Sequence, residues 1–174
     1  LDDIKKWGVH KDPLLWEYNI SNLTRYELGF WLIDRRRTYK TAYYVVLDED
    51  RVIGYFGFRD INTIFKTATL GLALDPNITS KGYGSVIMEM LLHYFFEEMK
   101  MNTLNLEVNR FNTRAINLYK KFSFEEIENS YISYEIQNQN LEILNDPRYF
   151  FRKYGRLYSK TIKMRLERDK YNEI

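Results

Sequence analysis

Apolar and polar positions along the chain change period repeatedly, and the changes mark the elements. In Tyr158–Leu166, Ile162, Met164 and Leu166 alternate with Thr161, Lys163 and Arg165, the pattern of a strand with one buried face. A helix is predicted from Leu23 to Arg36, with Ser21 or Asn22 as cap and Arg35-Arg36-Arg37 at the negative end of its dipole. Ala42–Leu47 and Val52–Phe58 read as strands of a hairpin around Asp48-Glu49-Asp50. Thr67–Leu74 is a third strand, stopped by Asp75-Pro76 because proline cannot donate to a ladder. Gly82-Tyr83-Gly84 opens a helix to about Met99 whose polar stripe is Ser85, Glu89, His93, Glu97 and Lys100. Leu104–Val108 is a strand, Thr113–Lys121 a short helix and Tyr131–Ile136 a strand. Residues up to Asn19 read as irregular, and 138–156 as a long aromatic-rich connection. This order predicts an α/β fold with a central mixed, mostly antiparallel sheet flanked by helices. No repeat or Pro/Gly-rich linker interrupts it, so residues 1–174 are expected to form one domain.

Composition narrows the function. A 45% hydrophobic content with 15 Tyr and 11 Phe can bury a core. No apolar run approaches the roughly 18 residues of a membrane span, and the first residues lack a signal-peptide pattern, so cytoplasm is the default compartment. With no cysteine, thiolate catalysis, disulfides and Cys-based zinc sites are excluded. Two distant histidines without clustered acids argue against a metal site; His93 reads as a solvated helix position, and His10 has no assignment. Residues 148–174 carry nine Lys/Arg against three acids, leaving 17 basic and 21 acidic residues before them. That tail raises a nucleic-acid reading, against which the alternation in Tyr158–Leu166 favours a solvated strand face.

The chemistry gathers in two segments. Asp75-Pro76-Asn77-Ile78-Thr79-Ser80-Lys81-Gly82-Tyr83-Gly84-Ser85 joins a strand to a helix. The first amides of a helix lack intrahelical partners and carry partial positive charge, so such a loop suits a phosphate, and Lys81 adds a cation. A dinucleotide fingerprint would need glycine where Ile87 stands, and a Walker loop would need its lysine after the glycine rather than before it. The second segment runs Leu104-Asn105-Leu106-Glu107-Val108-Asn109, then Asn112-Thr113-Arg114-Ala115-Ile116-Asn117-Leu118-Tyr119-Lys120-Lys121-Phe122-Ser123-Phe124.

Together the segments resemble the GNAT superfamily of N-acetyltransferases. Residues 79–84 look like its Q/R-x-x-G-x-G/A coenzyme A motif, and 112–124 like its N-x-x-A-x-x-L-Y-x-x-x-G-F motif, over a best-matched core of 43–124. Leu106-Glu107-Val108, Asn112 and Tyr119 are spaced as in the ribosomal-protein N-terminal acetyltransferase branch. The resemblance implies acetyl-CoA as co-substrate and no metal. It implies Glu107 as general base through water, and Tyr119 as general acid to the departing thiolate. It places pantetheine on the backbone of Leu72, Ala73 and Leu74, pyrophosphate on the amides of Ser80, Lys81, Gly82, Tyr83, Gly84 and Ser85 beside Thr79, and the coenzyme A arm near Asn112 and Ala115. Thr79 and Ser80 stand where the family has Gln/Arg and Arg, which makes the loop cation-poor; Ser123 replaces a glycine.

Each residue also has a purely structural reading. Tyr119 lies at core spacing with Ala115, Ile116 and Phe122, and Glu107 lies on a polar strand face with Asn105 and Asn109, where an ordered water could act alone. Trp31, on the first helix, is the weakest candidate, for the acceptor pocket. The acceptor is a small-molecule amine or a protein N-terminus, and a homodimer is one assembly to test. The alternative function is a non-catalytic acyl-CoA-binding sensor.

Overall fold

In the computed structural model, which describes residues 2–35, 40–137 and 141–173, seven strands form one mixed sheet. The strands are β1 (Ala42–Asp48), β2 (Arg51–Asn62), β3 (Thr67–Leu74), β4 (Thr103–Asn109), β5 (Glu125–Ser133), β6 (Phe150–Lys153) and β7 (Arg156–Glu167). Their order is β1-β2-β3-β4-β7-β5, with β6 also paired to β7. The helices are α1 (Asp2–Lys5), α2 (Arg25–Arg35), α3 (Tyr83–His93), α4 (Thr113–Lys121) and α5 (Arg168–Tyr171). The α/β class and the mostly antiparallel mixed sheet are as the sequence predicts.

The exception to antiparallel pairing is β3 against β4. They are parallel and meet only at Thr67↔Thr103, Ala68↔Leu104 and Thr69↔Asn105. Beyond these three positions β3 keeps its pairing with β2, and β4 stays paired with β7 as far as Asn109↔Thr161. The two strands therefore diverge, each held on its outer side. On one face of the sheet Met88, Leu91 and Phe95 of the α3 region pack with Leu104, Leu106 and Tyr119 in the main core.

Several boundaries differ from the sequence reading, each for a local reason. α2 is capped by Thr24, not Ser21 or Asn22, which lie in a separate helical turn. Thr24 N–H donates to Glu27 Oε2 at 2.7 Å and Glu27 N–H to Thr24 Oγ1 at 3.2 Å, a reciprocal capping box. Arg36 and Arg37 lie outside the described residues. The helix after Gly84 ends as a π-helical turn, Tyr94–Glu98, in which Met99 N–H donates to Tyr94 C=O. The strand predicted at Tyr131–Ile136 is β5, which begins at Glu125 and ends at Ser133. It lies at the edge of the sheet, almost wholly exposed and with a register shift near Glu126, so it carries no alternation to read. The connection after it contains β6, joined to β7 by Tyr154-Gly155, both at positive φ as tight hairpins require.

The basic tail is largely committed within the chain. Arg148 pairs with Asp146, Lys163 with Glu128 at 2.8 Å, and Lys160 Nζ donates to Pro147 C=O. Arg168 donates to the carbonyls of Phe96 and Met101, satisfying groups at the end of the π-helical turn. Among the described residues no helix is long and apolar enough to cross a membrane.

Two positions give stability predictions. Ser123, in the family's glycine position, sits at φ +59°, left-handed backbone that costs an L-residue about 1–2 kcal/mol. Allowing for the extra unfolded-state entropy of glycine, Ser123→Gly is expected to stabilise by about 0.5–1 kcal/mol and raise Tm by about 1–4 °C in a melting scan. Asp75 is fully buried and accepts from Gly8 N–H and Asn77 N–H, both at 2.9 Å, and from the half-exposed Arg51 guanidinium. Asp75→Ala leaves two inner amides unpaired, and denaturant unfolding should show a loss of about 2–4 kcal/mol; a loss below about 0.5 would contradict the anchoring role.

Candidate active site

The divergence of β3 and β4 opens a cleft of about 340 Å³. Leu72, Ala73 and Leu74 at the end of β3 form one wall, with peptide groups on the edge that β4 has left. Asn112, Arg114, Ala115, Leu118 and Tyr119 of α4 and its cap form the opposite wall. Thr79, Ser80, Gly82, Gly84 and Ser85 close one end, and His10 and Tyr18 of the N-terminal segment complete the lining.

The loop's backbone is shaped for an anion. Ser80 (φ +64°) and Gly82 (φ +88°) turn the chain into left-handed conformations at the start of α3. Among the described residues the amides of Ser80, Lys81, Gly82, Tyr83 and Gly84 enter no backbone hydrogen bond, whereas those of Ser85 and Val86 both donate to Gly82 C=O. Five unengaged N–H groups at the positive end of an 11-residue helix make a concave anion site. A Cβ at Gly82 would meet nothing within 4 Å, so what glycine supplies there is backbone freedom. Two cations from α4 offset the cation-poor loop: Arg114 lines the cleft, and Lys121 Nζ donates to Ser85 Oγ at 3.0 Å. Lys81 and Tyr83 do not line it; Lys81 is exposed, and the Tyr83 hydroxyl donates to Asp48 Oδ2 at 2.9 Å. The Thr79 hydroxyl donates to Pro76 C=O, so it braces the loop.

Tyr119 lies on the wall of the cleft and is buried. Burial pushes its phenol up to about 12, so it holds its proton at any physiological pH. Asn112 is the cap of α4: its Oδ1 accepts from Ala115 N–H at 3.2 Å, which fixes the helix that carries Tyr119. Glu107 stands apart from the cleft lining. It is exposed on the β4 face opposite Leu104, Leu106 and Val108, and its Oε1 accepts from the Thr161 hydroxyl at 2.5 Å. Trp31 is also outside the lining; it packs edge-on against Tyr55 with centroids 4.9 Å apart. Among the described residues no group of three or more His, Asp or Glu could hold a metal.

Sequence reasoning missed the N-terminal contribution. Glu17 and Tyr18, at the end of a helical turn over Pro13–Tyr18, meet Asn109 of β4. Asn109 Nδ2 donates to Glu17 Oε1 and to Tyr18 Oη, both at 2.6 Å. Burial, then the neighbouring Glu135, pushes the Glu17 carboxyl up to about 7. Burial first and Arg114 second hold His10 below the ordinary imidazole value. The only trace in the sequence is a single acid between Trp16 and Tyr18.

The chain resembles known proteins in sequence and in fold. The chain is 35% identical over 82 residues to Acetyltransferase PseH of Campylobacter jejuni, covering 47% of this chain and 50% of that protein. It is 24% identical over 109 residues to an N-alpha-acetyltransferase of Sulfurisphaera tokodaii, covering 57% of this chain and 65% of that one. The chain thus spans about half the length of the PseH it matches. Its fold is shared with spermidine N-acetyltransferase from Vibrio cholerae, solved in complex with CoA and spermine. The TM-score is 0.64 at 20% identity, over 98% of this chain and 85% of that one. Residues 8–124 match the model of the Acetyltransferase (GNAT) family, and the chain belongs to that family.

Proposed function

We propose that the protein is an N-acetyltransferase that moves the acetyl group of acetyl-CoA to a primary amine by direct attack. The observation that carries this reading is the cleft itself. The free amides of Ser80, Gly82 and Gly84 at the start of α3 and the open edge of β3 lie on the same cleft as the neutral phenol of Tyr119. That combination suits a pyrophosphate, an amide-bearing arm and a leaving thiolate in sequence. The Vibrio cholerae structure carries CoA, and the cleft residues here fit the same group. Residues 1–174 are proposed to form one such domain, with 43–124 as its best-matched core.

In this reading the amide-rich loop from Thr79 to Ser85 binds pyrophosphate, Leu72, Ala73 and Leu74 pair with pantetheine, and Asn112 with Ala115 flanks the arm. The acceptor nitrogen forms its bond to the thioester carbonyl carbon, and the carbon–sulfur bond breaks. Tyr119 gives its proton to the sulfur, and Glu107 takes a proton from the nitrogen through water. A buried, protonated phenol on the lining of the cleft favours turnover over a silent acyl-CoA sensor.

The relatives support two readings of the acceptor class. Spacing of Leu106-Glu107-Val108, Asn112 and Tyr119, together with the Sulfurisphaera match, supports a protein N-terminus and the ribosomal-protein branch. The Vibrio protein's name supports a small amine. The small-amine class is the one we favour, because that likeness extends over nearly the whole chain, including the N-terminal segment that lines the cleft. A cytoplasmic setting and a homodimer belong to the same proposal.

Thiol release under saturating acetyl-CoA tests the assignment. Tyr119→Phe should lower kcat by about 100-fold and Glu107→Gln by about 10–100-fold, the scale of general acid and base catalysis, with acetyl-CoA affinity within about threefold of wild type. Unchanged rates in both variants would overturn the two roles.

A further inference from the structure

Resting on the acetyl-transfer reading, a second proton has to be accounted for. An alkyl amine arrives as an ammonium, with a pKa of about 10.4, and has no lone pair with which to attack. Its conversion to an amide removes two protons from nitrogen. One is balanced by the proton that Tyr119 gives to sulfur, and the other must reach solvent. Glu107 accepts the proton lost as the carbon–nitrogen bond forms, so the proton lost before attack needs a different acceptor.

Glu17 is placed for it. Tyr18 lines the cleft together with Asn112 and Tyr119, and its hydroxyl bonds to the Glu17 carboxylate and to the Asn112 side chain. Asn109 Nδ2 holds both, 2.6 Å from each oxygen, and the Glu135 amide also donates to Glu17. The charged and titratable groups facing this carboxylate are Tyr18 from its own turn, and Tyr134 and Glu135 from the segment after β5. Among the described residues no Lys or Arg pairs with it. Two further polar groups of the same cluster are buried without partners: Asn109 Oδ1 and the Tyr134 hydroxyl, on residues 4% and 1% exposed. Burying polar groups this way is costly unless something transient, an N–H of the acceptor or a passing water, satisfies them.

We propose that Tyr18 and Glu17 form the proton exit of this site: the acceptor ammonium gives its first proton to the Tyr18 hydroxyl oxygen while the Tyr18 proton passes to the Glu17 carboxylate. The neutral amine then attacks, and protonated Glu17 releases its proton to solvent past the exposed Glu135. Every proton is balanced, and no oxidant or other reactant is needed. Tyr18 touches the acceptor and is the catalytic group, whereas Glu17 acts through it. The pKa of about 7 agrees with this, since a base titrating near working pH is both ionised and basic enough to accept.

The test is the pH profile of kcat/KM, with spermidine and a short peptide bearing a free α-amine as acceptor probes. Wild type should be flat above pH 7 and fall below it as Glu17 becomes protonated. At pH 7 Glu17→Gln and Tyr18→Phe should lose about 10-fold with the peptide's α-amine and more than about 1,000-fold with spermidine, and lose that bend. Their rates should instead rise about tenfold per pH unit towards the amine's own pKa, because only amine already neutral in solution can react. Calorimetric acetyl-CoA affinity should stay within about twofold. A Glu17→Gln enzyme that keeps the wild-type bend, or loses the same factor at every pH, overturns the proposal and leaves the acetyl-transfer reading intact. Wild type that binds acetyl-CoA but acetylates neither probe overturns both readings.

Discussion

Everything functional in this protein depends on one parallel strand pair being allowed to fail. β3 and β4 share three register positions and then part, although both continue as strands. Neither collapses, because each keeps a full antiparallel partner on its far side, β2 for one and β7 for the other. An unpaired peptide edge inside a protein is costly unless water or a ligand satisfies it. Here the cost is distributed along Leu72–Leu74, where a ligand with amide groups of its own can take the place of the missing strand. The same divergence separates the starts of α3 and α4, so the anion site and Tyr119 fall on one cleft.

Holding such a gap open requires something outside the sheet. The N-terminal segment does this through polar side chains as well as through the apolar packing of Ile4, Trp7, Leu14 and Leu15. Asp75 binds Gly8, Asn77 and Arg51 at once, so one buried carboxylate joins the first residues, the hairpin and the anion loop. Asn19 exchanges hydrogen bonds with the His10 backbone, and Asn109 reaches from β4 to Glu17 and Tyr18. Hydrogen bonds fix direction as well as distance, which suits a wall that must present particular oxygens to a cleft.

The parts legible in the sequence were those set by local periodicity. β3 and α4 have the boundaries their patterns predict, because one is a tight apolar run and the other has an Asn112 cap and a clean apolar face. Ser123 was readable as strained from its motif position, and its φ is indeed left-handed. The unreadable parts depend on contacts distant in sequence. β5 is an exposed edge whose position is set by β7, and the capping role of Arg168 spans about seventy residues. Glu17 looks like any surface acid until Asn109, 92 positions away, is brought against it.

The site's electrostatics follow from the same division. The loop end of the cleft presents backbone amides, whose partial charges are fixed by the fold and do not titrate, and Thr79 and Ser80 add no cation to them. Around Tyr18 and Tyr119 the cleft presents side chains whose protonation does respond to burial: Tyr119 and Tyr18 pushed up, His10 pushed down, and Glu17 behind Tyr18's hydrogen bond raised to the neutral range. Burial favours the neutral form of every one of these groups, which leaves the tyrosines as donors and Glu17 as a base poised near pH 7. A single physical effect, desolvation, thus sets the protonation of Tyr119, Tyr18, His10 and Glu17 alike.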